Sequence, residues 1–126
     1  MGVLSVYHMD ILEFIHAKSY DEKKLDHFNI SVMVDDDFIT AVREDKTIFL
    51  HHPVYDDKGF ILKDPDKWVY KKEVRAKDIW DEIIGKAYDN GEPGIFFYDN
   101  LNKDNNLWYI ENIVCSNPSS AGGFIQ

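Results

Sequence analysis

The chain has 126 residues, 44% hydrophobic and 14% aromatic, with a formal net charge of −9 and one cysteine. That length suits one domain burying roughly two-thirds of its unfolded surface, while the composition excludes disorder and no apolar run reaches the roughly 18–20 residues of a membrane span. The acidic balance argues against binding nucleic acid through its phosphates, since the only basic knot, Lys71, Lys72, Arg75 and Lys77, is interrupted by Glu73 and Asp78.

Residues 1–7 are apolar and partly β-branched and read as a strand; "HMDILEFIHAK" then sets Ile11, Leu12, Phe14 and Ile15 on one side of a short helix. After the charged "SYDEKKLDH", "FNISVMV" reads as a buried strand and "DDDFITAVRED" as a helix turning Phe38, Ile39 and Val42 inward. Asp35, Asp36 and Asp37 read as a cap complementing the helix dipole rather than as a cation site. The stretch from about 47 to 75 has two Asp-rich turn signals and short alternating runs, so small antiparallel strands are expected there, inserted into a single domain 1–126. "RAKDIWDEIIGKAYDNGEPG" repeats Ile79, Trp80, Ile83, Ile84, Ala87 and Tyr88 at helical spacing and stops at Asn90-Gly91, a left-handed C-cap signal. Its Ile and Trp face is expected to pack on strands containing Phe96, Phe97 and Ile113. "GIFFYDNL" reads as a near-continuous apolar strand and "WYIENIVCS" as the last one. Strands apolar on both faces, alternating with helices, predict an α/β fold with a mostly parallel sheet or barrel.

Residue chemistry alone yields no catalytic constellation. Adjacent residues on a strand point to opposite faces, so His51 and His52 cannot chelate one ion together, and His8 and His16 are two helical turns apart. All five histidines read as structural, and no metal is expected. Asn100, Asn102, Asp104 and Glu111 fall at positions 1, 3, 5 and 12 of a calcium loop, with Leu107 at position 8. The flanks "GIFFYD" and "YIENIV" read as strands where an EF-hand needs helices, so the calcium reading is set aside. Ser119 and Ser120 lack an ordered His and acid for activation and read as a polar turn. Cys115, the only cysteine, excludes an internal disulfide and reads as a packing residue within an apolar strand. With no basic-then-apolar leader at the N-terminus, the expected compartment is the cytoplasm.

Four segments, "GVLSVYHMDILEFIHAK", "FNISVMVDDDFITAV", "RAKDIWDEIIGKAYDNGEPGIFFYDNLN" and "ENIVCSNP", resemble in order and spacing consecutive segments of the ribonucleotide reductase large chain, most like its adenosylcobalamin-dependent class. The resemblance covers residues 1 to about 118. It implies that the βα units form part of a ten-stranded α/β barrel. In the family the last strand delivers Asn-Pro-Cys-Gly-Glu to the barrel centre, where the cysteine carries the thiyl radical, the glutamate acts as base and the asparagine hydrogen-bonds substrate. Here Asn117 and Pro118 match, but Ser119 stands at the radical-cysteine position and Ala121 at the glutamate position. A serine O–H is far stronger than a cysteine S–H, and alanine cannot accept a proton, so both chemical groups are missing.

The leading expectation is therefore a central fragment of a ribonucleotide reductase catalytic chain, inactive alone, from a gene interrupted by an intein, intron or frameshift. Adenosylcobalamin belongs to the parent family, with no cofactor expected for this chain by itself. Other reductase fragments or self-association are the expected partners, with no nucleic acid and no membrane. The alternative is a non-enzymatic interaction module that keeps the reductase-like fold and binds a partner chain.

Overall fold

The computed structural model describes residues 1–18, 27–52, 54–58, 70–116 and 123–125, with 114–116 and 123–125 as backbone only. Three strands, β1 (Gly2–Ser5), β2 (Ile30–Val34) and, further along the chain, Gly94–Phe97, form a parallel sheet with β2 in the centre. Helix α1 (Ile11–His16) follows β1, and α2 (Asp36–Arg43) follows β2. Next come the antiparallel pair β3 (Thr47–His51) and β4 (Lys71–Arg75), and helix α3 (Ala76–Asn90). The third parallel strand is β5 (Gly94–Phe97); α4 (Tyr98–Lys103) and the antiparallel pair β6 (Ile113–Ser116) and β7 (Gly123–Ile125) complete the order. Among the described residues the parallel sheet is open and shows no closed barrel.

Parallel partners share a face, so the registers Leu4↔Val32↔Ile95 and Ser31↔Gly94 divide the sheet into two chemically different sides. The helix side carries Val32 and Val34, fully buried against Ile11 and Ile15 of α1, Phe38 of α2 and Ile79 and Ile83 of α3. Burying each such side chain contributes about 1.5–3 kcal/mol, which makes this layer the main source of stability. The other side carries Ser5, Ser31 and Met33, all half-buried, and Phe96, which is buried. Phe96 and Ile113 thus lie outside the cluster that α3 enters, contrary to the packing expected from sequence.

Helical spacing selects the buried stripes more narrowly than composition does. In α1, Ile11 and Ile15 are buried and Leu12 turns outward. In α3, Ala76, Ile79 and Ile83 form the inner stripe with Trp80 at its margin, while Ile84 is 43% and Tyr88 90% exposed. The helix ends as expected, with Gly91 at φ 74° donating its N–H to the Ala87 carbonyl.

The hairpin is joined to the core. Ile48 and Leu50 alternate inward into the common cluster, and the His51 N–H donates to the Tyr7 carbonyl at 2.9 Å, beside a parallel bridge between His8 and His51. Two strands are shorter than their apolar content suggests. "GIFFYDNL" leaves the sheet at Phe97 and coils into α4, where the Asn102 amide donates back to the Tyr98 carbonyl at 3.0 Å. "WYIENIVCS" is extended only from Ile113. Asn105 Oδ1 accepts the Leu107 N–H at 2.9 Å, and the N–H groups of Trp108 and Ile110 bond three residues back, so an Asx-turn overrides the β-propensity of Trp and Tyr. This leaves Trp108, Tyr109 and Ile110 65–71% exposed.

Candidate functional site

Open parallel α/β sheets bind ligands beyond the carboxyl ends of their strands, where loops gather side chains from several elements. In this chain those ends bring together Ser5, the last residue of β1, and Tyr7 beyond it, Asp35 after β2, and Tyr98 and Asp99 after β5. The Tyr7 hydroxyl donates to Asp35 Oδ1 at 2.7 Å. The same oxygen accepts the Phe38 N–H at 2.8 Å and so caps α2, as the acidic run suggested. Asp99 Oδ2 accepts the Asp36 N–H at 2.8 Å and ties the start of α4 to the start of α2. Burial, followed by the hydrogen bond to and the charge of Asp35, pushes the Tyr7 phenol far above the ordinary tyrosine range, so it stays a neutral donor. The tyrosine ring packs edge-on to Phe38, with centroids 6.5 Å apart.

A small cleft of about 170 Å³ opens here between Ser5, Tyr7, Met33, Asp35 and Tyr98. Its hydrogen bonds hold the three strand ends in register. Asp35, Asp37 and Asp99 give it an acidic character. A larger cleft of about 570 Å³ lies further along β5, between Ser31, Phe96, Asn100, Leu101, Asn105 and Ile113. Gly94 keeps its floor low, because a Cβ at that position would meet Ser31 Oγ at 2.9 Å.

The residues weighed as a calcium loop serve a different purpose. Asn102 Oδ1 accepts the Ile113 N–H at 2.7 Å, and its Nδ2 donates to the Ile113 and Tyr98 carbonyls at 2.9 and 3.0 Å. Its amide acts as a one-residue strand partner that pins β6 to α4. Asn105 donates to the Glu111 carbonyl at 3.2 Å and closes the turn. The Asn102 oxygen is therefore committed to backbone, and the flanks are β5 with α4 on one side and β6 on the other.

Asn117, Ser119, Ser120 and Ala121 lie outside the described residues, and Cys115 is described only as backbone within β6. Among the histidines, His16 Nε2 lies 2.9 Å from Glu82 Oε2, joining α1 to α3. His51 ends β3 and His52 follows it outside the strand. The fold sets the His52 ring against His8, 44 residues earlier, with centroids 5.2 Å apart. Sequence spacing carried no signal of this pairing, nor of the Tyr7–Asp35 bond; each arises from strand register.

A family model described as "Ribonucleotide reductase, barrel domain" matches residues 1–120. A vitamin B12-dependent ribonucleoside-diphosphate reductase of Thermoplasma acidophilum is 36% identical over 118 residues, which is 94% of this chain and 14% of the relative. The Mycobacterium tuberculosis protein of the same name is 34% identical over 118 residues, covering 94% of this chain and 15% of its own length. A ribonucleoside-diphosphate reductase subunit alpha of Bacillus subtilis is 27% identical over 130 residues, covering 90% and 19%. The chain thus spans about one-seventh of the two B12-dependent relatives.

Proposed function

Because the chain belongs to the ribonucleotide reductase large-chain family, as a stretch of its barrel domain, we propose that it supplies part of the catalytic barrel of a B12-dependent ribonucleoside-diphosphate reductase and does not catalyse alone. The observation that carries this reading is likeness across 94% of the chain to reductases of that name, over a sheet whose three strands run parallel. In this reading β1, β2 and β5 are wall strands of a ten-stranded barrel. The side bearing Ser5, Ser31 and Met33 faces the barrel interior, and α1, α2 and α3 clothe the exterior.

Within that frame Asn117 takes the substrate-binding asparagine position, Ser119 the radical-cysteine position and Ala121 the glutamate position. Reduction of ribonucleotides to deoxyribonucleotides then belongs to a longer chain that provides a thiol and an acid. The described residues do not form a complete seat for adenosylcobalamin: the cleft at the strand ends, about 170 Å³, is below the roughly 300 Å³ at which small-molecule pockets begin, and the one beside β5, about 570 Å³, is of a size for drug-like ligands rather than for a corrin with its nucleotide tail and adenosyl group. No step through that cofactor is therefore derived for these residues.

The test is an assay of the 126-residue chain, and of its Ser119→Cys, Ala121→Glu double variant, with adenosylcobalamin, a dithiol and ribonucleoside di- and triphosphates. Neither form should yield deoxyribonucleotide above the protein-free control. Product from either would overturn the reading. Sequencing the flanking DNA adds a second arm: in-frame barrel segments bearing the missing Cys and Glu support a longer reductase chain, and an unrelated neighbour favours a separate interaction module.

A further inference from the structure

Among the described residues, His8, Asp10 and His52 are the one group of three metal-ligating side chains whose donor atoms all lie within 4.8 Å of one another. We propose that these three side chains bind a divalent first-row transition ion of the zinc type at the point where the hairpin joins the sheet. The site shares no side chain with the Tyr7, Asp35 and Asp99 hydrogen bonds at the strand ends, and its placement follows from the fold. The parallel bridge between His8 and His51 brings the end of β3 alongside the chain leaving β1, and His52, one residue past the bridge, meets the His8 ring edge-on at 5.2 Å. Asp10, two residues after His8, brings Oδ2 to 3.8 Å from His8 Nδ1.

Two imidazoles and a carboxylate form a donor set suited to zinc and its neighbours and poorly suited to magnesium or calcium, which prefer oxygen alone. Zinc bonds of 2.0–2.2 Å in a tetrahedral shell place neighbouring donor atoms roughly 3.4 Å apart. Separations of up to 4.8 Å therefore have to close by up to about 1.4 Å to reach that geometry. Asp10 and His52 are exposed side chains, so rotation about their own bonds supplies the movement. Binding through His8 Nδ1 displaces the 3.1 Å hydrogen bond from the Asp10 N–H, an exposed donor that water can satisfy instead. Three protein ligands leave one position for water or a further ligand. The ion would clip the end of β1 to the end of β3, two elements otherwise joined there by the Tyr7–His51 backbone bond.

Cobalt(II) is the probe, because its visible absorption reports coordination number, and zinc is the competitor. The chelator-treated 126-residue chain should take up one equivalent of cobalt with a tetrahedral spectrum that zinc abolishes. His8→Ala and His52→Ala should each weaken binding by at least about 100-fold, the upper end of what losing even an outer-shell partner costs a metal site. His16→Ala and Cys115→Ser should bind as the wild type does. Zinc should also raise the melting temperature of the wild type and leave that of His52→Ala unchanged, a comparison made only after matching circular dichroism establishes that the variant folds. Absence of saturable binding in the wild type, or wild-type affinity in His52→Ala, overturns the proposal.

Discussion

Tyr7 and Asp35, 28 residues apart in sequence, meet through a 2.7 Å hydrogen bond that joins the end of β1 to the cap of α2. One carboxylate oxygen thus serves a tyrosine and a helix N-terminus together. Tyr7→Phe should cost about 1.5 kcal/mol in urea unfolding, the low end for a bond to a charged acceptor because the pair is partly exposed. Asp35→Ala should cost more, about 2–3 kcal/mol, since it removes the cap and strands the phenol. The Tyr7 pKa is raised on folding, so its contribution is present below the unfolded value of about 10 and is lost as pH rises beyond it. Wild-type stability should therefore fall more steeply above about pH 10 than that of Tyr7→Phe. Equal slopes would show that the phenol titrates normally.

Neighbouring isoleucines on α3 test the register of the core. Ile83 is fully buried and Ile84 is 43% exposed, although both belong to the same apolar run. Ile83→Ala should cost about 2–5 kcal/mol, and Ile83→Asp should unfold the chain. Ile84→Ala should stay within about 1 kcal/mol of the wild type. Comparable losses at the two positions would mean that the helix is rotated from the orientation described.

Those two residues also mark how far the sequence was legible. Period and caps gave α2 its Asp35 start and α3 its Gly91 stop, because both depend on residues adjacent in the chain. Which of two apolar neighbours turns inward depends on what the helix meets, and α3 meets α1 and α2 as well as the sheet. Apolar content misread the β5–β6 region for a related reason. Asn102 and Asn105 spend their amides on backbone groups up to 11 residues away, and those local bonds end one strand and delay the next. The histidine cluster had no local signature at all, being assembled by the bridge between His8, beyond the end of β1, and His51 at the end of β3.

Asn102 offers a direct test of that local control. Replacing it with Ala leaves the Ile113 N–H and carbonyl, both partly buried contacts, without their side-chain partner, at a cost of about 1–3 kcal/mol. Amide hydrogen exchange should accelerate at Ile113 while Val32 and Val34 in the central strand keep their protection. Asn102→Asp should recover only the acceptor half of the clamp. Unchanged exchange at Ile113 in the Ala variant would show that β6 is held by β7 alone.

The last prediction concerns charge at the far end of α2. Asp45 follows the helix at φ 55°, a left-handed position that Asp and Asn tolerate better than most residues. From there its carboxylate takes two parallel bonds from Arg75, Nε to Oδ1 at 2.6 Å and Nη2 to Oδ2 at 2.8 Å. Arg75 is also the residue that opens α3. The pair therefore links the end of one helix to the start of the next across the base of the hairpin. The Arg75 hydrogen bond holds the Asp45 carboxyl below the usual carboxylate range. A depressed folded pKa contributes stability that is present above the unfolded value of about 3.9 and is lost as pH falls through the folded one. Asp45→Asn keeps the backbone preference and removes the charge, so it should lower the urea midpoint at neutral pH and flatten the acid limb of the stability profile. Both side chains are about half exposed, so the difference between wild type and variant should shrink as salt is added. Arg75→Lys should fall between them, since a point charge cannot reproduce two parallel bonds. An acid limb in Asp45→Asn as steep as that of the wild type, at low salt, would place the pH sensitivity in other carboxylates and leave the pair a geometric contact only.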